Sequence, residues 1–456
     1  MKITTIVLAA GKGTRMQSQL PKVLHKIADK SLLRHVFDTS MQIANNSVHI
    51  IVGHQAALVQ ASMPDLPINW IEQSQQLGTG HAVQQATDFI GNDDVVLVLF
   101  GDVPLIKEST INTLISNVND DSLALLTVNL NNPHGYGRIV RNGLGNVTNI
   151  VEEKDATESQ KLITEVNTGI MAVLGKDLKT WLSRLSNNNA QAEYYLTDVI
   201  AMAVLDGKTI VTSEPINADE VLGVNNRIQL AYLERAYQQI QVEALMEQGV
   251  SFRDPKRFDL RGSLVSLGQD IEIDVNVIFE GTISIGNNVK IGANTIIKNA
   301  KIADNVEIFA NCIIEDAVIG ESCRVGPYAR LRPETTLADH VHIGNFVELK
   351  KASVASASKI NHLSYIGDAE VGSKVNIGAG TITCNYDGVN KFKTIIGDGA
   401  FIGSDSQLIA PVTIGKNATI GAGTTVTKNT PDDQLTLSRV KQITIPGWQR
   451  PTKQGN

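Results

Sequence analysis

The segment 394–426, TIIGDGAFIGSDSQLIAPVTIGKNATIGAGTTV, places an aliphatic residue at every sixth position and decides the fold of the C-terminal half. These positions are Ile396, Ile402, Leu408, Ile414, Ile420 and Val426. The same spacing links Leu267, Ile273, Phe279, Ile285, Ile291 and Ile297, and later Ile319, Val325, Leu331, Leu337, Ile343 and Leu349. A period of six is neither helical nor a simple strand alternation. It is typical of hexapeptide repeats, whose short strands and tight corners stack into a parallel β-helix with a continuous buried core.

The phase of this pattern changes in several places. One-residue slips after Ile297 and Ile314 predict tightened corners, and larger breaks over 350–370 and 378–395 predict loops on a binding face. Residues able to do chemistry concentrate in those breaks. They are Lys350, Lys351, His362 and Tyr365 in the first break, and Cys384 to Lys393 in the second. Plain surface loops remain the alternative interpretation.

The composition narrows the class of protein. A chain of 456 residues has room for about two to four domains. The net charge of −7 argues against nucleic acid as a partner, because phosphate backbones need a basic surface. The three cysteines show no CxxC spacing, which fits a reducing compartment. The apolar run 3–10 is too short for a signal peptide or a membrane span. We therefore expect a cytoplasmic protein with no membrane partner.

The first half has the pattern of an α/β domain. Continuous apolar runs at 3–10, 48–52, 95–100 and 123–128 predict strands buried on both faces, with crossover helices such as 30–43 between them. Ligands of such sheets gather at the carboxyl ends of the strands. A segment without Pro or Gly over 225–248 predicts one long helix that ends at Gly249. The expected domains are 1–226, a linker helix 227–249, and 250–456.

A glycine-containing loop follows the first strand, in Leu8-Ala9-Ala10-Gly11-Lys12-Gly13-Thr14-Arg15-Met16. Glycines after a strand let backbone N–H groups approach a phosphate. A dinucleotide turn would need glycine in place of Met16, and a Walker loop would need Gly-Lys-Ser/Thr, so both are disfavoured. With Pro21-Lys22 following, the loop resembles that of the sugar-phosphate nucleotidyltransferases. Asp102 comes directly after a predicted strand, which is where a metal-binding carboxylate belongs.

Taken with the second half, the chain resembles the bacterial bifunctional N-acetylglucosamine-1-phosphate uridyltransferases / glucosamine-1-phosphate N-acetyltransferases. The matching segments are LAAGKGTRM, PKVLH, QLGTGH, GDVPL, GYGRIV, NTGI, GVNNR, ARLRP, NFVELKK, NIGAGTITCNYDGVNKFKT and SRV. The resemblance implies a Rossmann-like, mostly parallel nucleotidyltransferase sheet, a long linker helix and a left-handed β-helix. It also implies UTP and acetyl-coenzyme A as co-substrates, Mg²⁺ as cofactor, and a homotrimer.

The resemblance assigns roles in uridyl transfer. Arg15 and Lys22 would neutralise phosphate charge, and Asp102 and Asn225 would hold the metal. The UDP-sugar would be bound by Leu8, Ala9, Ala10, Gly11, Lys22, Gln73, Gly78, Thr79, Phe100, Gly101, Asp102, Gly137, Glu152, Asn167 and Asn225. Phe100 departs from the tyrosine that the family often has there. His81 is expected to be a structural hydrogen-bonding residue.

The resemblance also assigns an acetyl-transfer site, with His362 as the proton acceptor. Glucosamine-1-phosphate would be bound by Arg332, Lys350, Tyr365 and Asn376. Acetyl-coenzyme A would be bound by Ala379, Asn385, Tyr386, Ser404, Ala422 and Arg439, with Asn385 and Tyr386 shared with the sugar. His340 and His342 are expected to be surface residues, because nothing nearby completes a metal site.

Two alternatives stay open. The chain could be a nucleotidyltransferase alone, with a structural or regulatory β-helix, or it could be a structural solenoid. The first does not explain His362 and its neighbouring cations, and the second does not explain the phosphate loop.

Overall fold

The computed structural model describes residues 1–451. The chain divides into two compact units, unit 1 from Met1 to Tyr237 and unit 2 from Gln238 onward. Within the described residues, no helix is both long enough and apolar enough to cross a membrane.

Unit 1 is built on a mixed sheet with helices on its two faces. Its strands are β1 Ile3–Leu8, β2 Lys26–Ile27, β3 Lys30–Ser31, β4 Asn46–Val52, β5 Ile68–Glu72, β6 Val95–Phe100, β7 Ser122–Asn129, β8 Arg138–Arg141, β9 Val147–Val151, β10 Glu165–Leu174 and β11 Thr209–Ser213. The α-helices that follow or separate these strands are α1 Leu32–Ser40, α2 Ala56–Ala61, α3 Thr79–Gln84, α4 Glu108–Ser116, α5 Glu158–Lys161, α6 Gly175–Leu182 and α7 Asp198–Leu205. Short 3₁₀ helices cover Thr14–Met16, Lys22–Leu24, Thr87–Phe89, Ala218–Val221 and, in unit 2, Pro255–Arg257.

The main strand order is β11-β7-β10-β6-β1-β4-β5. β1 pairs in parallel with β4 and β6, and its residues are almost all buried because side chains pack on both faces of the sheet. β10 runs antiparallel to β6 and β7. The expectation of a mostly parallel sheet therefore holds for the β6-β1-β4-β5 part, and the sheet as a whole is mixed.

A long helix, α8, covers Arg227–Glu247 and confirms the helix expected over 225–248. The Asn226 side chain accepts a hydrogen bond from the Gln229 backbone N–H at 2.9 Å, as an N-cap does. Gly249, with φ 96°, follows the end of the helix. The boundary between the two units falls inside α8.

Unit 2 is a parallel β-helix. Its strands are β12 Ser251–Phe252, β13 Phe258–Leu267, β14 Glu272–Ile273, β15 Val277–Ile285, β16 Lys290–Ile291, β17 Ile296–Lys298, β18 Lys301–Ile302, β19 Glu307–Ile308, β20 Ile313–Glu315, β21 Ala317–Ile319, β22 Arg324–Val325, β23 Arg330–Leu331, β24 Thr335–Leu337, β25 His342–Asn345, β26 Glu348–Val354, β27 Lys359–His362, β28 Tyr365–Val371, β29 Asn376–Ile377, β30 Ile382–Cys384, β31 Thr394–Ile396, β32 Phe401–Ile402, β33 Gln407–Ile409, β34 Val412–Ile414, β35 Thr419–Ile420, β36 Thr425–Val426 and β37 Leu435–Thr436. Among the described residues these form long parallel sheets of 11 and 15 strands.

The predicted aliphatic ladder is the core of this β-helix. In the 11-stranded sheet, the register stacks one aliphatic of each coil on the next, through Ile273, Ile291, Ile308, Val325, Ile343, Ile360, Ile377, Ile402 and Ile420. All of them are buried. The slips after Ile297 and Ile314 are tight corners, formed by Asn299 and Asp316 in left-handed conformations. The repeat is confirmed, and the left hand of the coil stays a prediction.

The expectation of a loop over 350–370 is wrong. Val354, Ile360 and Ile366 continue the buried core through this segment. The phase changes only because Lys351 and Asp368, each with φ 48°, make the same one-residue corners. Because a spacing of five occurs in two consecutive coils, the sequence there resembles an interruption of the six-residue repeat.

The second break contains a true insertion, although it is shorter than expected. Thr383, 1% exposed, takes the inward position after Ile377. The insertion is the loop that follows, and an isolated bridge between Tyr386 and Lys391 closes it.

Candidate active sites

The carboxyl ends of β1 and β6 form one side of a cavity of about 280 Å³ in unit 1. Leu8 and Phe100, the last residues of these strands, are direct register partners. The cavity is lined by Leu8, Ala9, Ala10, Gly11, Lys22, Val23, Gln73, Gln76, Gly78, Thr79, Ala82, Phe100, Asp102 and Glu193. The predicted phosphate loop and the predicted uracil-binding residues therefore line one cavity. Gly101 lies between two lining residues, with its N–H bonded to the Leu8 carbonyl at 3.0 Å.

The charged end of this cavity brings together four predicted residues. The Lys22 ammonium forms an ion pair with the Asp102 carboxylate, and both side chains are more than four-fifths buried. Lys22 Nζ also lies 3.3 Å from Asn225 Oδ1. Arg15 Nη2 donates to the same oxygen at 2.9 Å. Two cations and two oxygen ligands thus converge from distant parts of the sequence.

These oxygens fit a magnesium ion. Mg²⁺ prefers hard oxygen ligands and is often held by one or two side chains together with substrate phosphates. The Asp102 carboxylate and the Asn225 amide oxygen are such ligands, since both reach the same Lys22 ammonium. Among the described residues, no cluster of three or more His, Cys, Asp or Glu side chains could hold a metal alone. The remaining ligands would have to come from the substrate.

The opposite end of the cavity is organised by Gln73, which is 3% exposed. Its Nε2 donates to the Gly78 carbonyl at 3.1 Å and lies 3.0 Å from His81 Nδ1. Gly78 has φ 112°, and a Cβ there would lie 2.6 Å from the Tyr194 carbonyl, so only glycine fits. His81 makes hydrogen-bond contacts with Gln73 and Gln85, in agreement with a structural role.

The three predicted sugar-binding residues lie beside one another. The Asn167 N–H donates to the Gly137 carbonyl at 2.9 Å. A Cβ on Gly137 would lie 3.4 Å from Glu152 Oε2. Glu152 Oε1 accepts a hydrogen bond from Thr197 at 3.0 Å. Burial raises the pKa of the Glu152 carboxyl, and the charges of Asp155, Asp198 and Glu193 raise it further.

Phe100 connects this group to the cavity. Gly169 donates its N–H to Asn167 Oδ1 at 2.9 Å. A Cβ on Gly169 would overlap the Phe100 ring, so the ring packs directly on this glycine. Gly169 also has φ 83°. Nucleotide-side and sugar-side residues are therefore contiguous within unit 1.

Several residues of this region were not predicted from the sequence. Gln76 and Glu193 line the cavity, and Thr197 bonds Glu152. Tyr136 lies close enough to Asp102 that this carboxylate, after burial, contributes to raising the pKa of the Tyr136 hydroxyl. Gln76 and Tyr136 stand inside quoted motifs, where attention to side-chain chemistry would have found them. Glu193 and Thr197 carry no sequence signal that points to the site.

In unit 2, His362 ends β27 and faces Asn345, its register partner at the end of β25. His362 Nδ1 lies 2.8 Å from Asn345 Oδ1. An amide oxygen accepts, so Nδ1 must donate. The neutral ring then has a lone pair on Nε2, which is the arrangement that a general base requires.

Predicted coenzyme-binding residues stack in one line along the same corner of the coil. The register that pairs Ile360 with Ile377 places Ala379 on the coil next to His362. Asp405 N–H bonds the Ala379 carbonyl at 2.7 Å, and Gly423 N–H bonds the Ser404 carbonyl at 2.8 Å. The row thus continues through Ala379, Ser404 and Ala422. Arg439 Nη2 lies 2.7 Å from where a Cβ on Gly421 would stand, beside the end of this row.

A cationic cluster lies in the 15-stranded sheet. Arg332 Nη1 donates to Glu348 Oε1 at 2.7 Å, and Glu348 is the register partner of Tyr365. The Tyr365 hydroxyl packs over Gly367, the register partner of Lys350. Lys391, which was not predicted from the sequence, lies close enough to the Lys350 ammonium to be the largest cause of its lowered pKa. Such a cluster suits a phosphate.

The other predicted residues are placed differently. Asn376 lies in the 11-stranded sheet that contains His362, between Lys359 and Phe401 in register, rather than in the cationic cluster. Asn385 is 7% exposed, and its amide donates to the Asp368 carboxylate. Tyr386 is 60% exposed at the base of the inserted loop. His340 is exposed and His342 partly buried, and neither belongs to a metal cluster among the described residues.

Three family models match parts of the chain. They are the MobA-like NTP transferase domain over residues 5–163, the GMPPB C-terminal domain over 263–356, and the bacterial transferase hexapeptide (six repeats) over 393–428. The first match covers the strands that form the cavity, and the last covers the segment with the regular six-residue period.

Curated relatives match over nearly the full length. A bifunctional protein GlmU of Methylococcus capsulatus is 58% identical over 453 residues, covering 99% of this chain and 98% of the relative. A bifunctional protein GlmU of Marinobacter nauticus is 56% identical over 448 residues, covering 98% of each chain. Among solved structures, a nucleotidyl transferase from Methanothermobacter aligns with a TM-score of 0.39 and 13% identity, over 52% of this chain and 99% of that one.

Proposed function

Because the chain belongs to the family of bifunctional GlmU proteins, we propose that unit 1 carries out its uridyl transfer and unit 2 its acetyl transfer. The protein is a bifunctional enzyme of UDP-N-acetylglucosamine synthesis. It transfers an acetyl group from acetyl-coenzyme A to glucosamine-1-phosphate and a uridyl group from UTP to N-acetylglucosamine-1-phosphate.

One observation carries this division of labour. Each of the two groups of candidate catalytic residues lies wholly inside one unit. Arg15, Lys22, Asp102 and Asn225 meet in unit 1, whereas His362 with Asn345, and Arg332 with Glu348, meet in unit 2. Two separate assays test the proposal. Free thiol should appear with acetyl-coenzyme A and glucosamine-1-phosphate alone, and pyrophosphate should appear with UTP and N-acetylglucosamine-1-phosphate alone. Absence of either product would refute it.

In uridyl transfer, a phosphate oxygen of the sugar phosphate attacks the α-phosphorus of UTP, and the bond to the departing pyrophosphate breaks. The protein contributes positioning and charge rather than a covalent intermediate. Arg15 and Lys22 supply fixed positive charge where negative charge develops. Asp102 and Asn225 would hold Mg²⁺, which would supply positive charge to neutralise the substrate phosphates. The phosphate loop of β1 would present backbone N–H groups to the same phosphates.

The two flanks of the cavity would set specificity. Gln73 and Thr79, with the close backbone of Gly78, would bind the uracil edge. Glu152 and Asn167, with the backbone of Gly137, would bind the N-acetylglucosamine part. A carboxyl group held in a dry setting, as Glu152 is, makes strong hydrogen bonds to sugar hydroxyls once it is ionised.

In acetyl transfer, His362 Nε2 would take a proton from the amine of glucosamine-1-phosphate as the nitrogen attacks the thioester carbonyl. The carbon–sulfur bond then breaks, and coenzyme A leaves as a thiolate that takes the proton held on His362 Nε2. Asn345 holds the ring so that Nε2 faces the amine. Arg332, Lys350 and Tyr365 would bind the sugar phosphate, and the row from Ala379 to Ala422 with Arg439 would bind the coenzyme. Asn376 would complete the sugar site, and Asn385 and Tyr386 would be shared between the sugar and the coenzyme.

We also propose a homotrimer, supported by an apolar corner of the β-helix. Tyr328, Phe346 and Leu363 occupy the same corner of successive coils, and each is more than half exposed. All three have positive φ, which is unfavourable for bulky side chains, whereas Asn294 and Asn311 fill this position in earlier coils. Solvent-exposed apolar patches of this kind are typical of interaction surfaces. Phe346 and Leu363 directly follow Asn345 and His362, so a neighbouring copy here would cover the acetyl-transfer site.

A nucleotidyltransferase with a purely structural β-helix explains less. It would need neither a histidine fixed by Asn345 nor cations held against one another near Lys350. A cytoplasmic location is proposed because UTP and acetyl-coenzyme A are cytoplasmic metabolites.

A further inference from the structure

His25 and Arg227 form a contact that the uridyl-transfer mechanism does not yet use. Arg227, the first residue of α8, donates from Nη1 to His25 Nδ1 at 3.2 Å. The two residues are 202 positions apart in the sequence. His25 is 6% exposed and follows the 3₁₀ helix Lys22–Leu24, with its N–H bonded to the Lys22 carbonyl at 3.2 Å.

This contact joins the two elements that carry residues of the uridyl site. Lys22 begins the 3₁₀ helix that His25 ends, and Asn225 lies two residues before Arg227. The position of Asn225 depends on α8, because its N–H donates to Gln229 Oε1 at 2.7 Å. The His25–Arg227 bond therefore runs beside the 3.3 Å contact between Lys22 and Asn225.

Stability alone does not explain this pair. Within the described residues, His25 Nε2 is buried and makes no hydrogen bond of ordinary length and angle, although the Leu20 carbonyl lies close enough to act on the ring. A buried nitrogen so weakly paired is unfavourable compared with an apolar side chain. Arg227 stands at the start of a helix, where the helix dipole disfavours a positive charge. Burial first, and then the Arg227 charge, lowers the pKa of His25, while the Leu20 carbonyl acts in the opposite direction. The ring is thereby kept neutral, as an acceptor for Arg227 must be.

We infer that His25 and Arg227 are positioning residues for uridyl transfer, which hold Lys22 where its ammonium contacts both Asp102 and Asn225. This inference rests on the proposed uridyl site. A small displacement of charged groups matters because catalysis by positioning and charge falls steeply with misalignment.

The test uses the full-length enzyme with three single variants and one double variant. Arg227→Met removes the donor from an exposed side chain, and His25→Leu removes the acceptor while keeping bulk. His25→Asn places an oxygen close to where Nδ1 stood. We expect His25→Leu and Arg227→Met each to lower the uridyl-transfer kcat about tenfold, with KM values within about twofold of wild type. The double variant should be no slower than either single variant. His25→Asn should recover most of the kcat.

Other readouts separate positioning from structure. The melting temperature should not fall in His25→Leu or Arg227→Met, since both residues are locally unfavourable, and acetyl transfer should be unchanged. The inference is overturned if Arg227→Met keeps its full kcat, if the two losses simply multiply, or if His25→Asn is as slow as His25→Leu. It is also overturned if kcat and melting temperature fall together. Asp102→Ala serves as the reference, because full uridyl transfer in that variant would refute the proposed site itself.

Discussion

Asn345 Oδ1 accepts a hydrogen bond from His362 Nδ1 at 2.8 Å, across two parallel strands of neighbouring coils. The bond selects the tautomer whose Nε2 can accept a proton. It also ties the orientation of the ring to the register of the β-helix. Register in a stacked coil is set by many buried aliphatics at once, so the position of the His362 ring is fixed by the whole core rather than by a local loop.

His362→Ala should lower the acetyl-transfer kcat by roughly 100- to 10,000-fold, because the attacking amine loses its proton acceptor. Asn345→Leu should lower it by about tenfold, since the ring remains but its orientation and tautomer are no longer fixed. Steady-state release of coenzyme A thiol measures both. His342→Ala, on the strand of Asn345, is the matched control and should keep normal turnover. Near-normal turnover in His362→Ala across pH 6 to 9 would leave the base unassigned.

Asp102→Ala should reduce uridyl transfer by roughly 100- to 1,000-fold. Lys22 would lose its ion-pair partner, and the metal proposed to neutralise the phosphates would lose one of its protein ligands. Acetyl transfer should stay near wild type, as no residue of that site is touched. Pyrophosphate and thiol release from the same preparation give the two rates. Equal loss of both activities in a folded variant would contradict the assignment of one reaction to each unit.

The β-helix could be predicted from sequence because an aliphatic residue recurs at every sixth position over a long segment. Each of these residues points into the same core. The prediction failed where Lys351 and Asp368 shorten two coils, although these are the same one-residue corners that were predicted after Ile297 and Ile314. The sequence therefore held this signal. The parallel strands around β1 were visible as apolar runs. The antiparallel course of β10 was not visible, because a buried run looks the same in either direction.

Some residues of the candidate sites could be located from the sequence, whereas most of the contacts between them could not. Loop motifs located the β1 loop and Asp102, since strand ends and glycines have a direct physical meaning in sequence. The contact of Arg15 with Asn225 joins residues 210 positions apart, and no local pattern could give it. Asn345 is one coil from His362, so knowledge of the coil length would have suggested the pair. Lys391 lies in the segment from Cys384 to Lys393, which was predicted to carry chemistry. Its proximity to Lys350 could not be predicted, because it depends on how the inserted loop folds back.

Glu152→Gln should raise the melting temperature at pH 8, and the gain should shrink as the pH falls toward 4. Burial raises the pKa of the Glu152 carboxyl above its unfolded value. A raised carboxyl pKa favours the folded state only at low pH, and that benefit is lost as the pH rises through the folded pKa. The neutral amide avoids this loss. The same variant should bind N-acetylglucosamine-1-phosphate more weakly. Thermal melts at several pH values measure the first effect, and a variant no more stable at pH 8 than wild type would contradict it.

Phe346→Asp should disrupt the trimer and lower acetyl transfer more than uridyl transfer. A charge in the apolar corner formed by Tyr328, Phe346 and Leu363 would be buried without a partner if a second copy covers it. Light scattering gives the mass, and the two assays give the activities. A chain ending at Tyr237 should still make UDP-N-acetylglucosamine from the acetylated substrate. A full-length monomer with normal acetyl transfer would show that the corner is not an interface.

Lys350→Ala should raise the KM for glucosamine-1-phosphate by about ten- to a hundredfold and change kcat less. The reason is that the Lys350 charge would attract the substrate phosphate equally in the ground state and in the transition state. The positive charges of Lys391, first, and Arg332 lie near this ammonium, and their repulsion lowers the pKa of Lys350. Removing it should therefore leave the melting temperature unchanged or slightly higher. Added phosphate should stabilise the wild type more than the variant in thermal melts, since the anion relieves repulsion that Lys350→Ala has already removed.

Lys351→Ala is the matched control, because the Lys351 ammonium pairs with Glu334 at 2.8 Å instead. If both variants raised KM alike, the effect would reflect general surface charge and Lys350 would have no specific place at the phosphate.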